Sequence, residues 1–299
     1  MVTKYGISII GAGRLGRSLG RILRDRGWKI HSVVTRSQTT AKRAVRLIGG
    51  GRPSTEISRA VLAAPVILIA VPDRAIPDVV DCISGIADQL RKHVVLHTSG
   101  ALDSGILAPL RPVGAAVGSF HPLQTFSGVG TPRLEGRIFA VEGDVAAVRV
   151  SRAVIRALGG QVVLLASSAK PAYHAAASIS AGMVLSLVET AIQIFASFGM
   201  KRREALHALL PLTRQVLENQ ETLGPRAAWT GPLARGDYDV IAAHEKALRS
   251  FPEEYLAAYR AVNRLSARVL ARDPEKMLRE LTVVSEETLK NTKTEGVSA

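Results

Sequence analysis

The 299-residue chain has a single cysteine, Cys82, which excludes a disulfide framework and suits a reducing compartment, so the cytoplasm is the expected location. Aromatic residues make up only 4% of it, and it has neither a basic tail nor a nucleic-acid recognition motif. A formal charge of +14, from 39 Lys and Arg against 25 acids, therefore does not make nucleic acid the expected partner. A basic proteome, or a phosphorylated cofactor, accounts for the scattered arginines more simply. No secretory signal is expected, because "YGISIIGAG" lacks a cleavage context and reads as a first strand. The long uncharged run Pro171 to Val188 is full of Ala and Ser and holds a histidine, so a buried helix is expected there and no membrane span. His93, His97, His207 and His244 have no cysteine or carboxylate at metal-ligand spacing, and no metal site is expected.

What is present is enough apolar residue, 47%, to bury a large core, in a length that suits two domains. Residues 5–165 alternate short β-branched runs with helical patterns, which predicts an α/β domain of Rossmann type with a doubly wound, mostly parallel sheet. From Ser168 the strand-like runs stop, and helices are expected near 169–198, 201–222, 238–249, 252–272 and 275–291. The expected division is a nucleotide-binding domain over 1–167 and an all-helical substrate or dimerisation domain over 168–299, frayed from about Asn291.

"GAGRLG" follows the first strand and opens a helix whose Leu15, Leu19, Ile22 and Leu23 share one face. Gly11 permits the tight turn, Gly13 lets a pyrophosphate approach the backbone, and Gly16 lets helix and sheet pack closely; Arg14 and Leu15 begin the helix on which the phosphates rest. An acid about 20 positions beyond such a loop would grip the ribose of NAD. Here no Asp or Glu occurs between Asp25 and Glu56, and the second strand ends instead in Thr35, Arg36 and Ser37. An arginine fork between two hydroxyls suits a 2′-phosphate, so NADP is the expected cofactor.

Ligands of such sheets lie beyond the carboxyl ends of the strands. "AVPDRAI" puts Val71 and Pro72 there, and "HTSGAL" puts Thr98 and Ser99 there, either beside a nicotinamide or merely ending a strand and capping a turn. "GSFHPLQTF" presents His121 just past the run "GAAVGSF", with Gln124 and Thr125 available to orient a substrate. An imidazole there is a proton carrier or a ring satisfied by nearby carbonyls. Lys170, His174 and Ser178 follow one helix face at i, i+4 spacing, where the lysine and histidine either converge on a ligand or serve as a solvated helix start and a packed ring. Arg235 in "TGPLARGD" either pairs with a substrate carboxylate or caps a neighbouring helix. Ala177, Ala181 and Gly182 would let the long helix pack closely, including against a second subunit.

Taken together, "GAGRLG", "AVPDRAI", "HTSGAL", "GSFHPLQTF", "KPAYHAAA" and "TGPLARGD" resemble the Rossmann-like family with a C-terminal DUF2520 domain, over about residues 5–290. That family is similar to pyrroline-5-carboxylate reductases, deazaflavin-dependent NADP reductases, prephenate dehydrogenases and β-hydroxyacid dehydrogenases. The resemblance implies a homodimeric NADP-dependent oxidoreductase acting on a small, anionic carbonyl, imine or hydroxy acid between its two domains, with ketopantoate one candidate. A deazaflavin-linked reductase and a non-catalytic NADP-binding sensor are the competing readings. His121 matches the His-Pro histidine that prephenate dehydrogenases present to substrate, and Lys170 stands like the catalytic lysine of β-hydroxyacid dehydrogenases. One turn later those enzymes carry an asparagine, where this chain has His174.

Overall fold

The computed structural model describes residues 6–87 and 89–295. In the first part of the chain the elements are β1 (Gly6–Ile10), α1 (Arg14–Asp25), β2 (Lys29–Val34), α2 (Gln38–Ile48), β3 (Arg52–Ser54), β4 (Val66–Ile69), α3 (Ile76–Ile86), β5 (Val94–His97), β6 (Ala116–Pro122), β7 (Ile138–Gly143), α4 (Val145–Leu158), β8 (Gln161–Leu164) and α5 (Lys170–Ser178). The remainder is helical: α6 (Val184–Ser197), α7 (Arg202–Leu223), α8 (Pro225–Ala228), α9 (Pro232–Arg235), α10 (Tyr238–Leu248), α11 (Glu253–Leu270) and α12 (Pro274–Glu295).

The strands form one sheet in the order β3-β2-β1-β4-β5-β6-β7-β8, parallel throughout except where β6 meets β7. "GISII" and "VILI" are buried at every position, because a central parallel strand covered on both faces needs no polar alternation. One face packs under α1 and α4 around Ile9, Leu19, Phe120 and Phe139, the other under α3 around Ile67, Ile83 and Val117. Chain direction across the sheet reverses between β1 and β4, so the loops that leave these two strands splay apart and open a crevice.

The chain divides into two compact units, 1–180 and 181–299, with α5 in the first. The second unit has its own small core of Leu233, Ile241, Ala267, Leu278, Leu281 and Val284.

Several expectations need correction. The "GAAVGSF" strand runs on through His121 and Pro122, because β7 pairs with it antiparallel and matches His121 to Ala140 and Pro122 to Phe139. The glycine-rich stretch at 49–53 also feeds a short edge strand, β3, which pairs parallel with β2. The single helix expected over 169–198 is interrupted by a π-helical turn at Ile179–Met183. Pro171–Val188 is not a buried helix: Ile179, Met183 and Leu185 are exposed, and only 6% of the most apolar window in Ser167–Ser197 is buried. By length and composition that helix could cross a membrane. The final helix continues to Glu295, past the fraying expected from Asn291, and residues 296–299 lie outside the described residues.

Candidate active site

The glycine loop separates its three glycines by what surrounds them. Gly11 has φ +92°, and a Cβ on it would meet the Ala70 carbonyl oxygen at 2.5 Å, the backbone that leaves β4. A Cβ on Gly16 would meet the Gly11 carbonyl oxygen at 2.1 Å. These two positions are filled by the protein. Gly13, at the N-terminus of α1, is exposed, and a Cβ there would meet nothing within 4 Å. The space in front of Gly13 and the free N–H groups of the first turn of α1 fit a pyrophosphate.

At the end of β2, Ser37 caps α2 by accepting from the Thr40 N–H, and the Thr35 hydroxyl donates to the Ser37 carbonyl. Both hydroxyls are thus engaged locally. Arg36 is exposed and makes no ion pair or side-chain hydrogen bond among the described residues. Arg14 is exposed too; its side chain and that of Arg17 pack against Gly128, and Arg17 donates to the Gly128 carbonyl at 2.9 Å.

Beyond β5 and β6 lies a polar cluster. His97 ends β5 fully buried; its Nδ1 accepts from the Ser99 N–H at 3.2 Å and its Nε2 donates to the Asp103 carbonyl at 3.1 Å, which fixes a neutral tautomer. Burial, reinforced by the Lys170 charge, pushes its pKa down to about 4. The Ser99 hydroxyl donates to Asp73 at 2.8 Å and accepts from the Ala101 and Leu102 N–H groups, so this serine caps its turn. Val71 and Pro72 immediately precede Asp73, whereas Thr98 is buried with its hydroxyl toward the Ile69 carbonyl.

Gly100 is the hinge of the site. A Cβ there would meet His174 Nδ1 at 2.4 Å and His121 Nε2 at 2.8 Å, so both imidazoles close on this one backbone position. The two rings stand edge to face with centroids 5.7 Å apart. His121 Nδ1 lies 2.9 Å from the Tyr173 hydroxyl, while His174 Nδ1 is buried without a partner. Burial, then the charge of Lys170, holds the His121 pKa down near 4, and burial pushes the Tyr173 phenol up.

Lys170 is 1% exposed, and its Nζ donates to the Ser99 carbonyl at 2.8 Å and to the Ser119 hydroxyl. Burial lowers its pKa against the opposing pull of Glu142, Asp103 and Asp73. Glu142, also buried, accepts from the Ser104 N–H, the Ser104 hydroxyl and the Ser167 hydroxyl. Lys170 therefore ties the turn after β5 to Ser119 within β6, with its ammonium closed off from solvent.

The structure brings His121 and His174 together, with Lys170 behind them in hydrogen-bond contact with Ser99. It gives Ser178 a back-bond to the His174 carbonyl and leaves Gln124 half-buried without a side-chain partner. Arg235 forms an exposed ion pair with Asp237 at 2.8 Å, so its guanidinium is already engaged. Three residues escape the sequence argument: Tyr173, Asp73 and Gly100. All sit within the motifs "KPAYHAAA", "AVPDRAI" and "HTSGAL"; Tyr173, one turn from Lys170, was open to the same spacing argument.

The Rossmann-like domain family matches residues 2–122, and the domain of unknown function DUF2520 matches residues 137–266, so the latter takes in β7, α4 and β8 as well as helices. No curated protein sequence matches the chain. Among solved structures, a Bacteroides fragilis protein assigned as an NADP oxidoreductase is 22% identical, with TM-score 0.73 over 88% of this chain and 98% of its own. An imine reductase from Pseudomonas sp. is 16% identical, with TM-score 0.66 over 93% of this chain and all (100%) of its own. A reductive aminase from Aspergillus terreus, solved with NADPH and ethyl-5-oxohexanoate, is 16% identical, with TM-score 0.60 over 96% and 95%. At these identities the likeness is one of fold. The chain carries a Rossmann-like domain followed by a DUF2520 domain.

Proposed function

We propose that the protein is an NADP-dependent oxidoreductase acting on a small carbonyl, imine or hydroxy-acid substrate. The observation that carries this reading is the glycine loop, in which the protein fills the space at Gly11 and Gly16 and leaves Gly13 open. Gly11, Gly13, Arg14, Leu15 and Gly16 would hold the pyrophosphate, and the unpaired Arg36, between Thr35 and Ser37, would fork onto a 2′-phosphate. Val71, Pro72, Thr98 and Ser99 end the neighbouring strands and would border the nicotinamide. The fold neighbours named NADP oxidoreductase, imine reductase and reductive aminase support the same class.

When bound, NADPH supplies the hydride. The chain's own residues manage the charge that develops on the substrate. With its pKa near 4, His121 is neutral at pH 7. In the tautomer that suits this role, the Tyr173 hydroxyl donates to Nδ1 and the ring proton sits on Nε2, the nitrogen beside Gly100. A neutral imidazole in a partly buried site polarises a carbonyl or imine by hydrogen bonding. As the developing anion takes the Nε2 proton, Nδ1 would take one from the Tyr173 hydroxyl, so the ring stays neutral and the phenolate regains its proton from solvent. His174, with its unpartnered Nδ1, supplies a second hydrogen-bonding atom at the same corner. Lys170 is a positioning residue: it links the turn after β5 to Ser119 within β6, and its charge adds to burial in lowering the His121 pKa.

The partner that best suits the exposed apolar residues of α6 and α7 is a second copy of the chain. Leu185, Phe198, Leu212 and Leu217 are each more than half exposed, and scattered charges elsewhere do not relieve them.

Titration of NADPH and NADH by quenching of protein fluorescence tests the cofactor. NADPH is expected to bind at least about tenfold tighter, and Arg36→Ala to remove most of that preference. Equal affinity, or none for either, would sink the reading. Oxidation of NADPH followed at 340 nm against 2-oxo acids including ketopantoate, cyclic imines, and ketones with amines then locates the substrate. Gly100→Ala, which drives a methyl into both imidazoles, should abolish that turnover while NADPH still binds.

A further inference from the structure

The opposite edge of the same sheet carries a second site. Parallel strands β4, β5 and β6 all begin there, and Val66, Val94 and Ala116 form the floor of a cavity of about 490 Å³. Its walls are the segment before β5, which contributes Arg91, Lys92 and His93, and the outer face of α4, which contributes Arg149, Arg152 and Arg156. The three arginines fall at i, i+3 and i+7, so one helix face presents all of them. No Asp or Glu lines the cavity.

Several arginines elsewhere are matched to acids: Arg26 to Glu135, Arg111 to Asp144, Arg202 to Glu189 and Arg260 to Glu245. The five cations of this cavity have no ion pair and no side-chain hydrogen bond among the described residues. Like charges at this helical spacing repel. Among the described residues no acid lines the cavity to offset that repulsion. His93 adds a second unmet demand. Its Nε2 donates to the Leu62 carbonyl at 2.8 Å, which leaves Nδ1 as a buried acceptor with no donor.

The geometry points to a binding site for a small phosphorylated ligand at the amino ends of β4, β5 and β6, remote along the strands from the glycine loop. Guanidinium forks on one helix face match phosphate oxygens, and a hydroxyl on the ligand would serve His93 Nδ1. The concavity has the size of a small-molecule site. Nucleic acid is the less suited polyanion, because no aromatic side chain lines the cavity to stack a base.

Isothermal titration calorimetry with inorganic pyrophosphate and with ribose 5-phosphate, on three forms of the protein, decides the matter. Beyond any pyrophosphate that the glycine loop takes, wild type and Arg36→Ala should each bind one equivalent at this cavity with the same affinity, and the triple variant Arg149→Ala/Arg152→Ala/Arg156→Ala should bind that equivalent at least tenfold more weakly. The substituted side chains are exposed, and circular dichroism checks that the triple variant is folded. Pyrophosphate heat with none from ribose 5-phosphate would identify a free polyphosphate as the ligand; the reverse would identify a phosphate ester. The inference fails if neither probe binds at millimolar concentration, if binding is lost in Arg36→Ala but kept in the triple variant, or if a single-stranded oligonucleotide displaces the probes at micromolar concentration.

Discussion

The two units of the chain solve the problem of apolar surface differently. In the first, both faces of the sheet are covered, and residues such as Ile9, Leu19, Ile67 and Phe139 are wholly buried. In the second, the six-residue core drawn from α9, α10, α11 and α12 coexists with Leu185 of α6, Phe198 just after it and Leu212 of α7, which stand in the open. A sheet gives helices two broad surfaces on which to hide; a pair of helices gives each other only one stripe. The first unit thus buries its large apolar residues within itself, and the second leaves some of its own exposed.

The contrast can be broken most sharply in the core. Phe139→Ala, which empties a fully buried position beside Phe120, should cost about 3–5 kcal/mol in urea denaturation. A loss below about 1 kcal/mol would mean that the first unit is packed more loosely than described.

Acid comes next. His97 is fully buried, with a folded pKa of about 4 against an ordinary value of 6.5, so the folded state resists protonation. A depressed histidine contributes stability that is complete above pH 6.5 and is lost as pH falls toward 4, because the unfolded chain binds the proton first. Lowering the pH from 7 to 5 should remove about 2 kcal/mol through this ring. His97→Gln, which cannot titrate, should flatten that part of the profile, and an unchanged slope would exonerate the ring.

For the second unit, Leu185→Glu/Leu212→Glu should convert a dimer to a monomer by light scattering. Stability of the first unit should move by no more than about 0.5 kcal/mol, since both positions are exposed. A wild-type protein that is already monomeric would overturn the proposed pairing.

The smallest effect on stability is expected at Gly13. Its φ of −66° suits any residue and its Cβ would meet nothing, so Gly13→Ala should cost under about 1 kcal/mol, the loss of a glycine at a helix N-cap. NADPH affinity should nevertheless fall. Gly11→Ala makes the converse control, because φ +92° and the Ala70 carbonyl at 2.5 Å penalise the fold itself.

The architecture was legible wherever local chemistry dictates it. "GISII" followed by "GAGRLG" names its strand, turn and helix, and the lack of an acid before Glu56 is a fact of sequence alone. Legibility failed where distant segments decide. Pro122 argues against a strand continuing through it, and only the antiparallel partner β7 extends β6 past His121. β3 hides in a glycine-rich stretch because a short edge strand needs little apolar sequence. The apolar run 171–188 implies burial, yet hydrophobicity cannot say whether the covering surface belongs to the same chain. Lys170 could be read as poised for a ligand, but the depth to which it is buried depends on Ser99 and Ser119, more than fifty residues away. Gly100 offered only a missing side chain, and its meaning is supplied by the two rings that converge on it.

One ring also sets how this site can accommodate what enters it. His97 grips the chain at Ser99 with one nitrogen and at Asp103 with the other, closing the intervening turn like a clasp. Ser99 stitches the same turn internally through the amides of Ala101 and Leu102. A segment fastened at so many points has little freedom to yield, so Gly100 acts as a fixed wall, and any fitting to differently shaped molecules falls to the side chains opposite, Tyr173 and His174.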